Sequence, residues 1–362
     1  MPHTLKFGYP VGDLQAMVRY EDLANAKEEQ EQKPFSNTKE HYFGGIKYSV
    51  KNHFPSKYRT YINEEGESVV YPHLLMVHGV ASDASYFDPF CTDMARLGIA
   101  SSVVELPRTM TAAIKGGKLL DWQVGAMAHT YELLKETSRA DGEIILAGHS
   151  RGAIVATLAA QKLYDNDYYR PKGLILLAPA GIDKIAEGKL YKGVPLLGPL
   201  LVNNLVSGIG SEKERVKSNA SMVARVILKN IPQSLLEVKQ AMNTVVSDNF
   251  QKMPNLDILV PFAEDDEFIK YEELYKVALT NPNVSVVTVD SSHMLNNPSY
   301  EDILSLSDPR LLPGQVLQFM QSQIKNYTNR LLISKYGAVG RVGRVNLSDY
   351  IENSLELADS NR

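Results

Sequence analysis

The stretch EIILAGHSRGAIVATLA, residues 143–159, changes its pattern at a single serine. Before it, Ile144-Ile145-Leu146-Ala147 is a short apolar run rich in β-branched residues, as a buried parallel strand requires. After it, Ile154, Val155, Leu158 and Ala159 recur at helical spacing, and Gln161 and Lys162 begin a polar face. Ser150 therefore stands at a strand-to-helix corner. Such a corner crowds the residues two before and two after its apex, which accounts for Gly148 and Gly152. A helix N-cap would account for the serine but would require neither glycine. The whole pattern, strand then G-x-S-x-G then helix, is that of a nucleophile elbow.

Outward from this corner, strand and helix patterns alternate. HLLMV (73–77) reads as a buried strand, and a helical segment runs from Tyr86 to Leu97. IASSVVEL (99–106) is the next strand and LLDWQVGAMAHTYELLKET (119–137) the next helix. GLILLAP (173–179) follows the elbow helix. After a gap come DILVPFA (257–263), a helix over Tyr271 to Leu279, VSVVTVD (284–290) and a helix over Gly314 to Ile324. This alternation predicts an α/β fold: a mostly parallel central sheet flanked by helices. Upstream, GGIKYSVKN and KYRTYINEEG read as a hairpin extending one sheet edge.

The interval 182–254 has no strand pattern. It holds two amphipathic segments, SMVARVILKNI (Met222, Val223, Val226, Ile227 on one face) and SLLEVKQAMNTVV (Leu235, Val238, Met242, Val245). Because the sheet pattern pauses before them and resumes after them, they are expected to form an inserted helical cap. The expected organisation is an N-terminal extension (1–36), a core (37–181 with 255–326), the cap (182–254) and a C-terminal tail (327–362). GAVGRVGRV in the tail has no strand before it to make a dinucleotide loop and reads as a surface segment.

Composition narrows the function classes. The 362 residues are 44% hydrophobic and 22% charged, ordinary values for a globular protein. A net charge of −4 with no basic stripe argues against a nucleic-acid partner. Cys91 is the single cysteine, so an intrachain disulfide and a thiolate zinc site are both excluded. The opening MPHTLKFGYPVGDLQAM lacks the basic start and apolar core of a signal peptide, and the most apolar stretch, GVPLLGPLLVNNLVSGIG (193–210), is broken by prolines and asparagines. The expectation is a cytoplasmic protein without a transmembrane segment. No cofactor or metal motif appears: EDDE (264–267) lacks the spacing of a calcium loop, and there is no His-Glu-x-x-His helix.

From about Tyr42 to Lys325, the strand order, the elbow and the position of the insertion resemble the α/β-hydrolase superfamily, esterases and lipases with a helical cap among them. The resemblance implies the α/β-hydrolase fold and a triad in the chain order serine, acid, histidine. Of the eight histidines only His293, in SSHML after VSVVTVD, follows Ser150. The implied acid lies in FAEDDEF (262–268), where Ala263 takes the family's glycine position and points to Asp266. Asp265 is its neighbour, and Asp183 after the preceding strand is a further alternative. The loop MVHGVASD resembles the family's His-Gly-x loop, so the implied oxyanion donors are the backbone N–H groups of Val80 and Arg151.

A serine hydroxyl needs an imidazole to take its proton, and a carboxylate to orient that imidazole. The serine argues against relatives with an aspartate nucleophile. What the resemblance then implies is a carboxylic ester hydrolase acting on a small-molecule hydrophobic or acyl ester. A thioester, amide or carbon–carbon bond hydrolase, or a ligand-binding scaffold without turnover, is the alternative. Acyl length and oligomeric state are left open.

Overall fold

Alternating side chains build two apolar layers on either face of one sheet. In the computed structural model, residues 34–62, 68–80, 82–106, 119–137, 143–182, 231–263, 271–289, 312–324 and 341–342 are described. The strands are β1 (Phe35–Phe43), β2 (Ile46–Phe54), β3 (Thr60–Ile62), β4 (Ser68–Val70), β5 (His73–Val77), β6 (Ser101–Glu105), β7 (Ile144–His149), β8 (Gly173–Leu177), β9 (Ile258–Ala263), β10 (Val284–Val289) and β11 (Arg341–Val342). The helices are α1 (Asp88–Arg96), α2 (Leu119–Thr137), α3 (Arg151–Tyr164), α4 (Ile231–Asn243), α5 (Tyr271–Thr280) and α6 (Leu312–Ile324). Nine strands join in the order β1-β2-β6-β5-β7-β8-β9-β10-β11. From β6 to β11 every neighbouring pair is parallel, and β1 and β2 are antiparallel additions at one edge.

Period-two alternation decides which helix each residue meets. Leu75, Val77, Ile144, Leu146, Leu174 and Leu176 pack in one cluster with Met127 of α2, Val155 of α3 and Leu274 of α5. Leu74, Met76, Ile145, Ala147 and Ile175 pack in the other, with Met94 of α1 and Val316 of α6. Strands buried on both faces read as continuous apolar runs, and this is why HLLMV and GLILL were legible.

The upstream hairpin differs from the expectation. β2 pairs not with the KYRTYINEEG segment but with β1, through a turn at Gly44 and Gly45. Part of KYRTYINEEG, as β3, pairs instead with β4 in a separate two-stranded sheet. The reason is that β1, FSNTKEHYF, is almost wholly exposed and carries no apolar periodicity to announce it. It also begins at Phe35, just inside the segment read as an extension. In the tail, Arg341 and Val342 pair with Ser285 and Val286, adding a two-residue strand beyond β10. Of the expected cap, residues 183–230 lie outside the described residues, while the SLLEVKQAMN segment is helical as α4. Helix α4 rests on α3 through Ala241 against Ile154, with Val246 in the same cluster.

Candidate active site

Ser150 follows β7 directly and precedes α3, with φ 52° and ψ −121°. A non-glycine residue at positive φ is uncommon, and this φ/ψ pair costs on the order of 1–3 kcal/mol. The surroundings enforce it. The Ser150 N–H donates to the Leu177 carbonyl (2.9 Å), and the Ser150 carbonyl accepts from Ala153 N–H (3.0 Å) and Ala180 N–H (3.1 Å). The Ser150 hydroxyl makes no capping bond to α3, so the N-cap account of this serine fails.

The glycines answer to contact rather than to their own dihedral angles. A Cβ on Gly148 would fall 2.2 Å from the Gly152 carbonyl oxygen, and one on Gly152 would fall 2.5 Å from the Val77 oxygen and 2.6 Å from that of His78. Strand and helix meet here with backbone against backbone.

The His78–Val80 loop lies beside the corner. A Cβ on Gly79 would be 3.1 Å from Ser150 Cβ and 3.2 Å from His149 Nδ1. Leu106 N–H donates to His78 Nε2 (3.3 Å), which leaves Nδ1 to donate to the Gly79 carbonyl (3.0 Å). Ser82 Oγ donates to the same carbonyl at 3.2 Å. In a planar trans peptide the carbonyl and the next N–H point opposite ways, so these two donors also fix the direction of the Val80 N–H. His149 is buried and stacks on Tyr86 at 5.2 Å, with Phe87 edge-on at 6.1 Å. Burial pushes the Tyr86 hydroxyl far above its ordinary range, so it stays neutral.

Arg151, the first residue of α3, turns its side chain into the interior and is fully buried. Its Nη1 lies 3.8 Å from Glu237 Oε1 on α4, and its Nη2 donates to Gln240 Oε1 at 2.8 Å and to Gln123 Oε1 on α2. Gln123 Nε2 in turn donates to Glu237 Oε1 at 3.4 Å. Sequence reading missed Glu237, Gln123 and Gln240. A cation ahead of the apolar run Ala153-Ile154-Val155 in the first turn of α3 was the available sign that buried partners must exist.

Of the sequence-derived site residues, Ser150, Arg151 and the Gly79–Val80 loop are brought together. Asp266, Asp265, Asp183 and His293 lie outside the described residues. The strands that precede three of them, β9 before Asp265 and Asp266 and β10 before His293, end at Ala263 and Val289, which are register partners. Both run parallel to β7, so their carboxyl ends and Ser150 belong to the same edge of the sheet. Among the described residues, no three His, Cys, Asp or Glu side chains converge as a metal cage would need, and no helix is long and apolar enough to cross a membrane.

No protein-family model matches the chain, and no curated protein matches it by sequence. Solved structures do. A thermophilic esterase superposes with a TM-score of 0.51 at 16% identity, over 80% of this chain and 99% of its own. A structure from a study of carboxylesterases of the thaumarchaeon Nitrososphaera gargenis gives 0.52 at 14% identity over 80% and 100%. A hydrolase from Pseudomonas aeruginosa gives 0.52 at 14% identity over 78% and 98%. At these identities the likeness concerns architecture, and the architecture is the α/β-hydrolase fold.

Proposed function

We propose that the protein is a serine hydrolase that cleaves a carboxylic ester of a small, largely apolar acyl substrate. One observation carries the reading: a serine held at φ 52° on the carboxyl edge of a parallel sheet, its hydroxyl uncommitted to capping and a glycine loop pressed against it. Glycine at position 150 would relieve a strain of on the order of 1–3 kcal/mol against an entropic cost of about 0.5–1 kcal/mol, so a serine kept here favours a use for its hydroxyl. That argument favours catalysis over a scaffold that only binds.

In the proposed reaction Ser150 Oγ attacks the ester carbonyl as His293 takes the hydroxyl proton, with Asp266 orienting the imidazole. The new oxyanion accepts from the Val80 and Arg151 N–H groups. Collapse breaks the carbon–oxygen bond, the alkoxide leaves with the proton from His293, and water then releases the acyl group by the reverse steps. Two features support this assignment of donors. Arg151 N–H belongs to the first turn of α3, where no intrahelical acceptor exists. The Val80 peptide is oriented through the Gly79 carbonyl by His78 and Ser82. The neighbours named for esterase activity make an ester the substrate class to test first, ahead of a thioester or amide. We further propose that residues 182–254 cover the site and that their apolar face selects the acyl chain.

The test is labelling with a fluorophosphonate beside hydrolysis of p-nitrophenyl esters from acetate to palmitate. Label should enter at Ser150 alone, and His293→Ala should abolish hydrolysis. Asp266→Asn should cost more than Asp265→Asn or Asp183→Asn under the same conditions. Label at another residue, or none, would refute the nucleophile; a larger loss at Asp265 or Asp183 would move the acid.

A further inference from the structure

Arg151 occupies a costly position. Its guanidinium is fully buried, and burying a charge costs several kcal/mol before its partners repay any of it. It also opens a helix, where the dipole presents its positive end and a cation is disfavoured. The following residues of α3, Ala153, Ile154 and Val155, are buried and apolar. An apolar side chain of similar size would pack in this place at least as well.

The partners are arranged to hold the guanidinium from two directions. Glu237 and Gln240 both come from α4, and Gln123 from α2. Gln123 accepts from the cation through Oε1 and donates to the carboxylate through Nε2, so one amide closes a ring with the ion pair. A charged residue at 123 could not serve both neighbours. The backbone of the anchored residue is also the peptide that follows Ser150.

We infer that the Arg151 guanidinium is a positioning group: clamped by Glu237, Gln240 and Gln123, it fixes the backbone N–H that follows Ser150 and ties that donor to helix α4. This rests on the reading of Ser150 as nucleophile and Arg151 N–H as oxyanion donor. Its consequence is that helix α4 acts on the oxyanion site through the Arg151 side chain. A donor displaced by a fraction of an ångström loses much of its effect on the transition state while substrate binding is spared.

The decisive variant replaces the buried clamp with apolar residues together, Arg151→Met, Glu237→Leu and Gln123→Met, so that no charge or fully buried amide is left alone, Gln240 being half-buried. Melting and circular dichroism establish its fold. The expected result is kcat lower by roughly 10- to 100-fold with KM within about twofold. Affinity for a trifluoromethyl ketone, which forms the tetrahedral adduct, should fall in parallel with kcat. A folded variant that keeps kcat and ketone affinity, or whose loss is confined to KM, overturns the inference. Should that variant not fold, Gln240→Met decides, removing one acceptor from the half-buried side of the clamp. It should lower kcat and ketone affinity together by about three- to fivefold, and no change in either would overturn the claim. A wild-type protein that takes no fluorophosphonate at Ser150 refutes the nucleophile reading and this inference with it. Labelled wild type beside an unimpaired variant refutes this inference alone.

Discussion

Two of the turns that hold backbone in the positive-φ region, the β1–β2 hairpin and the elbow at Ser150, do so in opposite ways. At the β1–β2 hairpin, Gly44 and Gly45 adopt φ 56° and 74°, as a type I′ turn requires. A Cβ on Gly45 would meet nothing within 4 Å, and one on Gly44 only the Trp122 ring at 3.7 Å. Glycine is there for its own conformational freedom. At the elbow the residue with positive φ is a serine, and the glycines stand two places to either side, excluded from having a Cβ by backbone atoms at 2.2 to 2.6 Å. The hairpin relieves its strain, whereas the elbow keeps it at the position proposed to carry the chemistry. Ala178 also holds a positive φ, 41°, so retained strain points to chemistry only where, as at Ser150, it presents a reactive side chain.

The largest expected effect tests that last step. Ser150→Ala should lower ester turnover on the order of a million-fold. Ser150→Gly should lose activity equally but unfold at higher urea than Ser150→Ala, by about 1–2 kcal/mol. Equal midpoints for the two variants would mean that the elbow stores no strain.

Next come the flanking glycines. Gly148→Ala and Gly152→Ala force a Cβ onto backbone that cannot step aside, and each should cost more than about 3 kcal/mol or prevent folding. Soluble expression with an unchanged melting point would show that strand and helix are less tightly apposed than described.

An intermediate effect comes from the hairpin side. His73 on β5 is fully buried and donates through Nε2 to Ser102 Oγ (2.8 Å); Ser102 donates to Asn52 Oδ1 (2.6 Å), and Asn52 to Asn37 Oδ1 on β1 (3.0 Å). Desolvation lowers its pKa from 6.5 to about 4. Between those values the unfolded chain binds a proton that the folded chain refuses. The contribution is therefore intact above pH 6.5 and is lost as pH falls, by on the order of 3 kcal/mol near pH 4. Urea midpoints from pH 7 to 4.5 should fall for the wild type and more shallowly for His73→Asn.

The smallest effect is at the open turn. Gly44→Asn creates the Asn-Gly pair favoured in type I′ turns, and the melting point should hold to within about 0.5 kcal/mol. A large loss there would remove the contrast between the two turns.

The same contrast governs what could be read from sequence. The elbow was legible because its constraints are local: apolar run, serine between glycines, helical period. The central strands were legible because burial on both faces makes them apolar throughout. β1 was not, since Phe35 and Tyr42 are exposed and its polar residues face water on both sides. The Arg151 clamp was invisible for a different reason. Its members are spread over three helices, and neither Gln123 nor Glu237 differs in its local sequence from an ordinary polar helix position. The apolar face proposed for SLLEVKQAMN was only part of the account, because α4 also buries Glu237 and Ala241. Asp266 and His293 rest on order in the chain and on the resemblance.

One contact between the chain just after β8 and the chain just after α4 bears on how such a protein can change. Gly181, at φ 82°, accepts through its carbonyl from Val246 N–H at 2.8 Å. A Cβ there would press on the Thr244 carbonyl oxygen at 2.7 Å and on Ile154. Departure and return of the chain are therefore stapled together. With its ends already joined, the intervening length enters the closure entropy only logarithmically, at about 0.6 kcal/mol per doubling. The core is thus a socket. A segment of different length or sequence could be grafted between Gly181 and Val246 without renegotiating the sheet, provided the graft still offers Arg151 a carboxylate.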